Sequence, residues 1–300
     1  MKLLESIPNL SEGRDGPLLG SILQRVADRP GTQLLDASAD VDHNRTVLTF
    51  AGGPEDLLET LAAMIEAALA KLDLRRHSGV HPRFGVVDVV PFVPLRQASS
   101  RDAVDLAERL AGRVGRDLEL PTVLYGLAAR RSAHRELPAA RGALRRALTE
   151  GDLSSVIDEG PSQPHPTGGV VMIGARPPLV AFNVLLETAD VEVARGIAGR
   201  IRAANGGLPS VRALGVFLAS RGVAQVTMNL TDPGAITPAR ALSAVEREAA
   251  IFDVAVKSVE MVGLVPEIAI RDWSADAVRV EGGLERRLLE PKLRRLGMIE

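Results

Sequence analysis

Three hundred residues, 46% of them hydrophobic, suffice for one large core or for two of about 150 residues each. A formal net charge of −2 leaves no field to draw the chain onto nucleic acid or an anionic membrane, and 3% aromatic residues leave few platforms for stacking bases. Cysteine is absent, which excludes disulfides, thiolate metal ligands and cysteine nucleophiles.

The N-terminus, MKLLESIPNLSEGRDG, carries one lysine and a broken apolar stretch too short for a signal peptide. No run of about 18 apolar residues follows anywhere. The expectation is a cytoplasmic protein acting on small molecules, with no membrane and no nucleic-acid partner.

Residues Lys2 to Pro8 read as an opening strand, and Pro17 to Ala27 as a helix after the polar turn Ser11-Glu12-Gly13-Arg14. Thr32 to Asp36 and Thr46 to Phe50 are strand-like. The stretch between them, Asp36 to Arg45, reads as a loop crowded with carboxylates, His43, Asn44 and Arg45. Pro54 to Leu74 is an amphipathic helix whose stripe of Leu57, Leu58, Leu61, Ile65, Leu69 and Leu72 belongs to a core.

Next comes Arg76-His77-Ser78-Gly79-Val80-His81-Pro82-Arg83-Phe84-Gly85, directly before the apolar run Val86 to Phe92, which reads as a buried strand. His77 and His81 have the spacing of a helical metal pair, but Gly79 and Pro82 argue for a loop. Zinc would also want a third ligand, and none is near, so no metal is expected. An imidazole held between arginines suits proton transfer, since it titrates near neutrality. The plainer alternative is that the histidines only bond to loop backbone.

Ser100 to Val114 reads as a helix and Thr122 to Tyr125 as a strand. Asp158 to Gly169, rich in Gly and Pro, is either a linker or a loop covering a ligand. Beyond it the pattern alternates again: strands at Val170 to Ile173 and Leu179 to Leu186, a helix at Val191 to Ala204, strands at Val211 to Ala219 and Ala224 to Leu230, a helix at Pro238 to Phe252, and a strand at Val254 to Met261. This order fits a ferredoxin-like unit. The tail Glu285 to Arg295 reads as an amphipathic surface segment.

At His77 to Phe92 the sequence resembles the formiminotransferase family, whose signature H-x-G-x-H-P-R-x-G-x-x-D-V-x-P-F stands there without a gap. Ile7 to Arg14 is similar to that family's V-P-N-F-S-E-G-R. Asp36 to Val47 is similar to its D-x-D-x-D-x-D-H-N-R-T-V, with Ser38 in place of the second aspartate. Two further acidic positions of the family are apolar here, Leu127 and Leu144. Gly174-Ala175-Arg176, Ala181-Phe182-Asn183, Gln225 to Leu230 and Val262 to Pro266 extend the likeness over about Leu3 to Pro266.

The resemblance implies an α+β fold of two ferredoxin-like subdomains, 1–166 and 167–300, each a mixed or antiparallel sheet with helices packed on it, with a folate cleft between them. It implies transfer of a formimino group from N-formimino-L-glutamate to N5 of tetrahydrofolate, with His81 as the catalytic residue and no metal. Folate would be contacted by the family's glycine-rich loop, here Gly160, Pro161, Ser162, Gln163, Pro164, His165, Pro166, Thr167, Gly168 and Gly169. The substrate-binding candidates are Asp36, Asp40, Asn44, Arg45, Arg83 and Arg176, the arginines because both substrates carry carboxylates. A homodimer is implied, as is a separate cyclodeaminase for the product. Two other readings stay open: a folate-dependent transferase using a formyl donor, and a folate-binding protein without catalysis.

Overall fold

A computed structural model, which describes residues 1–27, 29–80, 82–274 and 278–300, resolves these patterns into two units, Met1–Arg176 and Pro177–Glu300. The first contains β1 (Leu4–Ser6), β2 (Asn9–Leu10), α1 (Gly16–Leu23), β3 (Thr32–Asp40), β4 (Arg45–Gly52), α2 (Pro54–Lys71), β5 (Val87–Pro94), α3 (Ser100–Asp117), β6 (Thr122–Gly126), α4 (Leu137–Glu150) and β7 (Val171–Ala175). Strands β1 and β2 flank Pro8 and both lie between β4 and β5, while β3 pairs the outer side of β4. The elements from β1 to β5 thus make a ferredoxin-like βαββαβ core. Strands β7 and β6 extend it in parallel beyond β5, which needs the crossover helices α3 and α4. Because β7 is a central strand of this sheet, residues 167–176 belong to the first unit, and the division falls after Arg176 rather than at 166.

Local signals explain the helices. Helix α3 starts on a capping box, with the Ser99 and Asp102 side chains each bonded to the other's backbone. Helix α2 opens with Pro54, Glu55 and Asp56 and closes with Lys71, matching its dipole. Its buried stripe of Leu57, Leu61 and Ile65 packs with Phe50, Val90, Phe92 and Leu110 in the first core. Helix α4 is unassigned in the sequence reading, where Pro138 and Gly142 obscure a periodicity that buries Ala140, Leu144 and Ala147.

The second unit contains β8 (Val180–Leu186), α5 (Val191–Ile201), β9 (Val211–Leu218), β10 (Val223–Leu230), α6 (Pro238–Ile251), β11 (Val256–Val262) and α7 (Leu289–Arg295). Its sheet is fully antiparallel in the order β11-β8-β10-β9, the ferredoxin-like arrangement expected. Phe182, Val226, Met261, Ile197 and Val245 build its core between sheet and helices. In the tail, α7 buries Leu289 and Leu293 and turns Arg294 and Arg295 outward. No helix among the described residues is long and apolar enough to cross a membrane.

Candidate active site

The signature loop is held from three directions. Ser11, just after β2, donates its N–H to the Val86 carbonyl (2.8 Å) and its hydroxyl to the Gly85 carbonyl (2.6 Å). Its carbonyl oxygen accepts from His77 Nδ1 at 3.2 Å. Two residues on, the Gly13 N–H donates to Asn44 Oδ1 (3.0 Å), and a Cβ at Gly13 would lie 2.3 Å from the Asp40 carbonyl oxygen. Only glycine lets the N-terminal turn approach the β3–β4 hairpin this closely.

That hairpin is longer than the sequence suggested. Strand β3 runs to Asp40, paired with Arg45 across the ladder, so the connection is only 41–44 and Asn44 takes a left-handed φ of 45°. Aspartate is a poor strand former, which is why the stretch from Asp36 reads as a loop. Strand alternation puts Asp36, Ser38 and Asp40 on one face. The Ser38 hydroxyl donates to Asp36 Oδ2 at 2.7 Å, so the residue that departs from the family pattern is itself engaged with its carboxylate neighbour. Asp40 Oδ1 accepts from the His43 backbone N–H (2.7 Å) and lies 3.0 Å from His43 Nδ1. Burial pushes the Asp40 carboxyl up, but the His43 bonds and the Arg45 charge win and hold it at about 2.

The Arg83 side chain is buried and donates to protein: Nε to Ser11 Oγ (3.1 Å), Nη1 to Asp88 Oδ2 (3.1 Å) and Nη2 to the Leu10 carbonyl (3.1 Å). Asp88, on β5, also accepts from Arg141 Nη1 (2.7 Å) and from the Phe84 N–H (2.8 Å). Burial pushes the Asp88 carboxyl up, yet the two guanidinium groups hold it below the usual carboxylate range. Burial likewise pushes Arg83 down to about 10, which leaves it charged at neutral pH. Arg141, from α4, stacks over the Phe84 ring at 4.7 Å and donates Nη2 to the Pro82 carbonyl (2.6 Å).

His81 lies outside the described residues. Its neighbours are tied on both sides, Pro82 by Arg141 and Val80 through an N–H bond to the Asp42 carbonyl (3.1 Å).

The segment Gly160 to Gly169 is pinned at its ends. Before it, Asp158 accepts from the Leu124 N–H (2.7 Å) and from Arg131 Nη1, and the Glu159 carbonyl accepts from the Thr122 N–H. At its end Gly168 and Gly169 are buried, the Gly168 carbonyl accepts from Val86 N–H (3.0 Å), and the Val170 N–H donates to the Phe84 carbonyl (2.7 Å). His165 Nδ1 accepts from the Gly168 N–H (2.9 Å), closing the turn on itself. Between these anchors Pro161, Ser162, Gln163 and Pro164 are exposed.

Arg176 stands apart from this web. It follows β7, where its N–H donates to the Phe92 carbonyl (3.0 Å) and its guanidinium bonds Tyr125 beside the charge of Glu5. Burial pushes the Tyr125 phenol up to about 12 despite that arginine. The structure therefore gathers Asp40, Asn44, Arg45, Arg83 and the end of the glycine-rich loop around the signature, and places Arg176 in a second cluster on the same sheet.

Asp88 and Arg141 were not among the sequence candidates. A charged residue inside the apolar run from Val86 is the signal that could have found the first, and the second opens Arg141-Gly142-Ala143-Leu144, which stands where the family has R-x-G-E. Of the two apolar departures, Leu144 is fully buried core and Leu127 is exposed. Among the described residues no group of three His, Asp or Glu side chains is placed to hold a metal ion.

Comparison with known proteins matches residues 3–176 to the formiminotransferase domain, N-terminal subdomain, and residues 181–282 to the formiminotransferase domain. The chain belongs to the formiminotransferase family. Within this family it is 38% identical over 306 residues to a glutamate formimidoyltransferase of Thermoplasma acidophilum, covering 100% of both chains. It is 35% identical over 282 residues to one of Streptococcus pyogenes, covering 93% of this chain and 94% of that one. A rat formimidoyltransferase-cyclodeaminase is 37% identical over 91% of this chain, but over only 52% of its own length.

Proposed function

We propose that this chain is a glutamate formimidoyltransferase, moving the formimino group of N-formimino-L-glutamate to N5 of tetrahydrofolate in histidine degradation. The observation that carries this reading is the unbroken signature from His77 to Phe92, clamped by Ser11, Asp88 and Arg141 within a chain that matches the transferase along its whole length.

Tetrahydrofolate supplies the attacking amine. A bond forms from N5 to the formimino carbon, the bond from that carbon to the glutamate nitrogen breaks, and one proton passes from the first nitrogen to the second. His81 carries that proton, as base and then as acid, because imidazole titrates near neutral pH. The exposed Pro161 to Pro164 stretch, fixed at both ends, suits a loop that lies along folate, with Gly160 to Gly169 as its contact segment. The face of Asp36, Ser38 and Asp40, with Asn44 and Arg45, meets the donor, and Arg176 offers a carboxylate anchor. Arg83 is a positioning residue, since its donors hold Ser11, Asp88 and Leu10. The protein works in the cytoplasm as a homodimer, which sedimentation at varied concentration tests.

The experiment is to mix the protein with tetrahydrofolate and N-formimino-L-glutamate and follow 5-formimino-tetrahydrofolate through its acid conversion to the absorbing methenyl form. Turnover is expected, and His81→Ala should lower it roughly 100- to 10,000-fold with folate binding kept. Folate binding without turnover would point to a non-catalytic protein, and turnover only with formyl donors to the other transferase.

A further inference from the structure

The two nitrogens of the His77 ring stand in different conditions. Nδ1 lies 3.2 Å from the Ser11 carbonyl oxygen, which can only accept, so Nδ1 carries the proton. The Asn44 amide nitrogen is farther from it, at 3.4 Å, and that amide is oriented by its other end, where Oδ1 accepts from Gly13 N–H. The tautomer leaves the lone pair on Nε2, and Nε2 is buried with no hydrogen-bond partner among the described residues. Such a group is costly to leave unmade and calls for a ligand. Burial first, then the charges of Arg83 and Arg14, push the imidazole below its ordinary range against the pull of the Ser11 bond and Glu12. The lone pair is therefore retained at neutral pH.

Above it the chain turns through Ser78, Gly79 and Val80, all exposed. A Cβ on Gly79 would fall 3.3 Å from Nε2 and 2.3 Å from the His43 carbonyl oxygen. Glycine thus lets the turn close over this nitrogen, so access to Nε2 requires the turn to move.

We propose that His77 Nε2 accepts a hydrogen bond from the N–H of the donor's formimino group, and that this contact is what separates formimino from formyl donors. The inference rests on the function proposed above. A formimino group is a basic amidine, protonated at neutral pH, and presents N–H. A formyl group presents a carbonyl oxygen in the same place, two acceptors would face each other, and a site built to bond N–H rejects the analogue that lacks it.

Two substitutions separate this role from simple loop anchoring. His77→Asn keeps a donor at the position of Nδ1 and deletes the acceptor at Nε2, whereas His77→Gln places a carboxamide oxygen near Nε2 and gives up the Ser11 bond. His77→Asn should lower kcat/KM for N-formimino-L-glutamate roughly 10- to 100-fold, the worth of a hydrogen bond to a charged group, and cut its preference over N-formyl-L-glutamate by the same factor. The KM for tetrahydrofolate should stay unchanged, and His77→Gln should keep most of the preference. The reverse pattern, with His77→Asn at the wild-type rate and His77→Gln impaired, would overturn the proposal and leave His77 a loop anchor. In the unmodified protein, the nitrogen resonance of His77 Nε2 should shift on adding N-formimino-L-glutamate and not on adding N-formyl-L-glutamate; no shift at saturating donor would also overturn it. An unmodified protein without formimino turnover would overturn the function itself, an outcome distinct from failure at His77 alone.

Discussion

Asp88 is the residue on which the signature loop depends. Its carboxylate is buried beneath two guanidinium groups and the Phe84 N–H. Removing one partner of such a set leaves uncompensated buried charge, so Asp88→Ala should destabilise the protein by about 3–5 kcal/mol in urea unfolding. Asp40 acts through pH instead. Its carboxyl is held at about 2, below the ordinary 3.8, so the folded state favours the charged form. The stabilisation is fully present above about pH 4 and is lost as pH falls toward 2. Unfolding midpoints measured from pH 5 to pH 2 should fall less steeply for Asp40→Asn than for the unmodified protein. Both residues were open to a sequence reading in type, one by its motif and one by its place in a charged stretch. Their partners were not, because Arg141 lies 53 positions from Asp88 and is brought to it only by α4 folding across the sheet.

At the scale of elements, the glycine-rich loop and the signature strand form one assembly. Gly169 has a φ of 71°, and a Cβ there would lie 2.1 Å from the Phe84 carbonyl oxygen. Gly169→Ala should cost about 1–3 kcal/mol in stability, from the strained backbone conformation alone, and should raise the KM for tetrahydrofolate more than it lowers kcat. An unchanged KM would argue against folate contact at this loop. Apart from α4, helices and inner strands were legible here because an apolar stripe or run reports burial directly. The β3–β4 hairpin was not, since its strand consists of half-exposed aspartates and a bulge between Leu34 and Asp36 shifts its alternation.

For the whole molecule, each unit has its own core, and the second depends on Phe182, fully buried and edge-on to Trp273 at 6.1 Å. Phe182→Ala should cost about 3–5 kcal/mol and change the emission of the chain's single tryptophan. The sequence by itself determined the family, the two alternating halves, the faces of the helices other than α4 and the contiguous motif around His81, all of which are written in residues close along the chain. Only the tertiary structure decided that the division follows Arg176, that Arg83 bonds Ser11, Asp88 and Leu10, and that the Ser11 carbonyl meets His77 Nδ1, 66 positions away. Those facts depend on strand order and on which turns are brought into contact, and no local pattern encodes them.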